Sequence, residues 1–95
     1  MNIEDIEIHI KKYDPKSNVV IANAVVSGVI EIRGFMARYT TTKGSPHNPV
    51  WVVGPPSVKG RNGKYFWVVR FRDPNLWLRL QKMIVDKARE YTNQI

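Results

Sequence analysis

Three stretches of this chain carry side chains whose types and spacing could do chemistry. Asp5, Glu7 and His9 stand at i, i+2 and i+4. On a strand all three would project from one face and could offer oxygen and nitrogen ligands to a divalent metal. Successive same-face residues lie about 7 Å apart by the strand rise, too wide for three ligands on one ion unless the side chains lean inward. A solvated acidic face is the plainer reading. His47 sits between Pro46 and Pro49 with no acidic or nucleophilic neighbour in sequence. Ser57 follows two prolines but lacks the glycine frame of a nucleophile elbow, and Gly60 and Gly63 alone make no phosphate-binding fingerprint. A non-catalytic protein without a resident cofactor or metal is therefore expected. The third stretch, residues 55 to 66, reads PPSVKGRNGKYF. Its Lys59, Arg61 and Lys64 surround glycines that relieve the backbone, and flexible cations beside free N–H groups suit a phosphate chain. Asn62-Gly63 is also a strong hairpin-turn signal by itself. The two readings are compatible, because loops held on a scaffold carry function.

Charge strengthens this reading. The 95 residues carry a formal net charge of +7, and it is unevenly distributed: residues 1 to 32 sum to −2 and residues 33 to 95 to +9. Such a field attracts polyanions, nucleic acid first and an acidic membrane surface or acidic protein second. No window approaches the roughly 18 apolar residues of a membrane span. The opening MNIEDIEIHI alternates acidic and aliphatic residues, unlike a secretory signal, so a cytoplasmic protein is expected. The chain has no cysteine, which excludes disulfides and thiolate zinc sites.

The elements that must position these groups follow from periodicity. Ile3 to Lys12 alternates Ile6, Ile8 and Ile10 with acidic and basic residues, a half-buried strand. Tyr13 to Asn18 reads as a turn, Val19 to Ser27 as a second strand and Val29 to Thr40 as a third. Gly34 interrupts the third strand. A bulge there would shift the alternation by one and bring Arg33 and Arg38 to a common face. Thr40 to Pro49 reads as a loop broken by Gly44, Pro46 and Pro49, followed by a short strand at Val50 to Val53. Tyr65 to Arg72 has the strongest strand character in the chain. Asp73 then suits a helix N-cap with Pro74 at the first helical position. From Leu76, apolar residues recur at three and four through Trp77, Leu80, Met83, Ile84, Ala88 and Tyr91. The expectation is one domain over residues 1 to 95, α+β, with an antiparallel sheet of about five strands and a C-terminal amphipathic helix on one face.

That architecture assigns faces to the last strand. The odd residues Tyr65, Trp67, Val69 and Phe71 are apolar or aromatic and are expected beneath the helix. The even residues then face outward, setting Lys64, Arg70 and Arg72 around Phe66, an arrangement that stacks bases and neutralises phosphates.

At these residues the chain resembles the SpoVG family, small bacterial proteins named for stage V sporulation protein G. The family pattern runs strand, proline-serine, basic residues, a D-G turn, strand and C-terminal helix. Pro56, Ser57, Lys59, Arg61, Asn62 and Gly63 fall in that order here. Asn62 stands in place of the usual Asp, Val58 occupies a usually basic position, and the preceding stretch is longer. The resemblance spans mainly residues 29 to 91. It implies a homodimeric, non-catalytic regulator that binds DNA and RNA through Lys59 and Arg61, with Lys64 beside them. A second resemblance, in the strands followed by DPNLWLRL, is to the positive-cofactor-4-like single-stranded-DNA-binding fold. It implies a dimer that binds with its sheet.

The site expected from the residues and the resemblance together comprises Arg33, Arg38, Lys59, Arg61, Lys64, Phe66, Arg70 and Arg72. The alternative function is a protein-interaction module that uses the same cations on an acidic partner. A homodimer is also expected because a small valine-rich sheet, as at Val19 to Val26, needs its edges paired or covered.

Overall fold

The computed structural model of the protein describes residues 5 to 92. Ile3, where the first strand was expected to begin, lies outside the described residues. Four strands, β1 (Ile6–Asp14), β2 (Val19–Val26), β3 (Ile30–Thr42) and β4 (Ser45–Gly54), form one antiparallel sheet in the order β1-β2-β3-β4. A separate two-stranded hairpin follows, made of β5 (Ser57–Lys59) and β6 (Tyr65–Trp67). Helix α1 (Pro74–Thr92) closes the order. The class is α+β as expected, but the late strands do not extend the main sheet.

The turns follow local chemistry. After β1, Asp14 accepts hydrogen bonds from the Lys16 N–H (3.0 Å) and the Ser17 hydroxyl (2.9 Å), and Asn18 takes a left-handed φ of 54°. Between β2 and β3, Ser27 and Gly28 both have positive φ (53° and 65°), and the Val29 N–H donates to the Val26 carbonyl at 3.0 Å. This backbone twist matches that of the strands it joins.

The stretch expected as a loop, Thr40 to Pro49, is instead a tight hairpin. β3 runs to Thr42, Lys43 and Gly44 turn, and β4 starts at Ser45. Pro46 and Pro49 are tolerated because β4 is an edge strand, where a missing N–H faces no ladder partner. Val19 to Val26, expected as an edge, is an interior strand paired on both sides.

One sheet face holds the core. Ile6, Ile8, Val20, Ala22, Ala24, Phe35 and Ala37 are buried against Leu80, Ile84 and Ala88 of α1. The alanines let the helix approach closely, while each fully buried large side chain contributes roughly 1.5–3 kcal/mol. At the helix start the Asp73 carboxylate accepts from the N–H groups of Asn75 (3.0 Å) and Leu76 (3.4 Å). This is the expected cap, and it satisfies donors that have no partner within the helix. Phe35, Phe71 and Trp77 stack together, with Phe71 and Trp77 nearly parallel at 5.0 Å. That cluster anchors the segment that leads from the hairpin into the helix.

Candidate nucleic-acid interface

The other face of the four-stranded sheet carries no helix, and the irregularity between β2 and β3 sets which side chains β3 presents there. The register of β2 on β3 shifts between Ala22 and Asn23, so that Asn23 faces Arg33 and Ala22 faces Phe35. The unpaired residue is Gly34, with φ of 95°. Its N–H donates to the Asn23 side-chain oxygen at 3.2 Å. Residues directly opposite in a ladder share a face, so the register puts Arg33, Met36 and Arg38 together on the open side. Without the extra residue, positions 33 and 38 would alternate to opposite faces. The expected common face for the two arginines is therefore formed.

The two arginines are not equivalent. The Arg33 Nε donates to the Glu31 carboxylate, a pair that holds the Glu31 carboxyl below its ordinary range. The Arg38 guanidinium is exposed and reaches the Met36 sulfur at 3.4 Å.

At the end of β4 the chain leaves the sheet through Gly54 and two buried prolines, Pro55 and Pro56. Fixed φ at both prolines and the lost N–H groups stop the ladder there. The chain then folds on itself as the β5–β6 hairpin, rooted by a hydrogen bond from the Val68 N–H to the Pro56 carbonyl at 2.9 Å. In its loop the Gly60 N–H donates to the Lys64 carbonyl (2.8 Å) and the Gly63 N–H to the Gly60 carbonyl (3.1 Å). The Asn62 side chain accepts from the Lys64 N–H at 3.0 Å, and Gly63 takes φ of 81°. The expected Asn-Gly turn is present, and it holds Lys59, Arg61 and Lys64 in solvent.

The hairpin corrects the assignment of the aromatic residues. Tyr65 and Trp67, expected beneath the helix, are 68% and 65% exposed, and Phe66 is 53% exposed. Regular pairing ends at Trp67 and the hairpin packs mainly against itself, so its rings are not covered by the helix. Only Phe71 of the odd set is firmly packed in the aromatic cluster, with Val69 half-buried. Because strand geometry stops at Trp67, no pleat aligns Arg70 and Arg72 with Phe66. They are exposed on either side of Phe71 and line a separate concavity with it.

The register Ser57–Trp67, Val58–Phe66 and Lys59–Tyr65 places Lys59, Tyr65 and Trp67 on one hairpin face and Val58 with Phe66 on the other. The Phe66 ring lies over Gly60, where any Cβ would stand 2.3 Å from a ring carbon.

The hairpin and the open sheet face meet in a cleft of about 250 Å³. Its walls are Gly34, Met36 and Arg38 from β3, Gly54 and Pro55 from the exit of β4, and Ser57 and Tyr65 from the hairpin. Tyr65 and Met36 are thus members of this surface that sequence periodicity missed, and Trp67 shares the hairpin face of Tyr65. The Pro55-Pro56 pair was the signal that could have shown the late strands leaving the sheet.

The opposite edge is acidic: Glu7, Asp86 and Glu90 line the groove between β1 and α1 with His9 and Lys87. Glu7 and His9 pair at 3.3 Å. Among the described residues no group of three or more histidine or acidic side chains comes together around one point, and no helix is long and apolar enough to cross a membrane. Comparison with family models, with curated proteins and with solved structures finds no match for this chain, so the reading of its surface rests on its own residues.

Proposed function

We propose that this chain is a non-catalytic nucleic-acid-binding protein of regulatory type, working in the cytoplasm, that holds DNA or RNA with the β5–β6 hairpin and the adjoining open sheet face. One observation carries the reading: a cationic loop with Lys59, Arg61 and Lys64 leads into a strand whose three residues, Tyr65, Phe66 and Trp67, are all aromatic and all exposed. Exposed rings of this size are otherwise a liability, and cations beside stacking platforms are what a phosphate backbone with accessible bases requires. The resemblance to the SpoVG family at Pro56 to Gly63 leads to the same reading.

The test is a binding titration across salt with single- and double-stranded DNA and RNA. Affinity falls with a log–log slope of about −0.7 to −0.9 per phosphate neutralised. The double variant Lys59→Glu, Arg61→Glu loses binding with its melting temperature nearly unchanged. Flat or absent binding to all four ligands would reject the proposal. The same cations would equally suit an acidic protein partner, and capture of such a partner that survives nuclease treatment would favour that second reading.

The reading includes a homodimer, joined through the free edge of β4. β1 guards its edge with Lys11, Lys12 and a bulge, and the first half of β4 with Pro46 and Pro49. Val50 to Gly54 carries no charge and no proline, and Val50 and Val52 are exposed. Antiparallel pairing of this segment with a second copy would join two open faces into one cationic surface.

A further inference from the structure

We infer that the cleft between the hairpin and the open sheet face is a seat for one unpaired nucleobase, which makes the protein a single-strand binder. This rests on the nucleic-acid reading above and names the form of nucleic acid that the site accepts. Three features of the cleft carry the inference.

The first is a missing side chain. Met36 and Gly54 stand opposite each other across β3 and β4, so both belong to the open face. A Cβ added to Gly54 would meet no atom within 4 Å, and its φ lies outside the left-handed region that only glycine favours. Neither backbone conformation nor crowding requires glycine at this position. What glycine leaves is a gap beside Met36, in a face otherwise covered by side chains.

The second is the wall. Tyr65 comes from a different sheet and stands across the gap, more than two-thirds exposed. An exposed ring that shares a cleft with a thioether, glycine backbone and an arginine offers a polarizable surface to a planar base. At about 250 Å³ the cleft falls below the range of roughly 300–1,000 Å³ that holds drug-sized ligands. It has room for a single flat ring system.

The third is charge at the rim. Arg38 lies two residues along β3 from Met36 on the same face, and Lys59 shares the hairpin face of Tyr65. A base in the cleft would leave its phosphates between these two cations. In a duplex the bases are paired and stacked inside, so none can enter a cleft lined by Tyr65 and Met36 without being flipped out.

The test uses a labelled thymidine oligonucleotide and a duplex of the same length. Tyr65→Ala removes the wall and Gly54→Leu fills the gap. Each should weaken single-strand binding by about ten- to one-hundred-fold, the effect of losing one base–aromatic stack. Each should leave the salt slope unchanged, because no phosphate contact is lost, and should shift duplex binding far less. Tyr65 is exposed, so its variant reads the site even if Gly54→Leu perturbs the fold. Single-strand binding by Tyr65→Ala equal to that of the unaltered protein, with Lys59→Glu, Arg61→Glu still abolishing it, would overturn the seat and leave the nucleic-acid reading standing. Absence of binding by the unaltered protein to both probes and to single- and double-stranded RNA would overturn both.

Discussion

The Asn23 side chain accepts a hydrogen bond from the N–H of Gly34 across the β2–β3 ladder, at the one point where the two strands fall out of step. Asn23 is 5% exposed, the one buried polar or charged side chain among the described residues. It satisfies the donor that the bulge takes out of the ladder, and so it supports the phase that puts Arg33, Met36 and Arg38 on one face. Asn23→Leu should destabilise the protein by about 1–3 kcal/mol, the cost of leaving a buried polar group without its partner. Gly34→Ala should cost on the order of 1 kcal/mol or more, because a side chain at φ of 95° is strained. Urea unfolding measures both. An unchanged midpoint for Asn23→Leu would mean that this bond does not hold the bulge.

Glu31 holds the Arg33 guanidinium that, on the proposed function, would meet phosphate. Glu31→Gln should release the guanidinium and strengthen nucleic-acid binding. If Arg33 then takes up one more phosphate, the salt slope steepens by about 0.7 to 0.9. Anisotropy titrations across salt report it, and an unaltered slope would place Arg33 outside the interface.

The same pair has a signature in pH. The hydrogen bond from Arg33 lowers the folded-state carboxyl of Glu31, and those from the Ser17 hydroxyl and the Lys16 N–H lower that of Asp14. A folded pKa below the unfolded one means that the unfolded state binds protons first as pH falls. The stabilisation is present above the unfolded carboxylate pKa of roughly 4 and is lost as pH falls through the lower folded value. Both carboxyls lie at the surface, so solvent screening keeps the effect small. Thermal melts from pH 6 down to about pH 2 should show it, with a shallower loss in Glu31→Gln.

Gly60→Ala would set a methyl 2.3 Å from a carbon of the Phe66 ring. The ring is the free end of an exposed side chain, so it swings away at little cost to the fold, and the melting temperature should change by only a degree or two. Nucleic-acid binding should fall because Phe66 no longer lies over the loop. A ring-proton shift for Phe66 in the NMR spectrum would mark the displacement, and normal binding with a displaced ring would remove Phe66 from the site.

Val52→Lys places a charge on the unguarded half of the β4 edge. Like charges would meet across a two-fold axis. Sedimentation should change from a dimer to a monomer mass, with little loss of monomer stability because Val52 is already exposed. A monomer mass for the unaltered protein would contradict the pairing directly.

Much of the architecture was legible in the residues. Alternation at Ile6, Ile8 and Ile10, the Asp73-Pro74 cap and the three-and-four spacing of Leu80, Ile84 and Ala88 each express a local period, and each element formed where its period lay. The glycine at 34 announced its bulge, and the basic turn at Lys59 to Lys64 was visible because Asn-Gly chemistry is local. Thr40 to Pro49 misled because proline tolerance depends on whether a strand lies at an edge, which no local pattern reveals.

The order and neighbours of the strands were decided only by the tertiary structure. Alternation in Tyr65 to Arg72 says that two faces differ, not which one meets the helix, nor that the ladder stops at Trp67. Two buried prolines turn the hairpin off the sheet, so Tyr65 and Trp67 stand in water while Phe71, on the same parity, is stacked with Phe35 and Trp77. The cleft joining Met36, Gly54 and Tyr65 draws on three segments far apart in the chain. Periodicity is a property of neighbours along the backbone, whereas a site built between two sheets depends on how those sheets are set against each other in space.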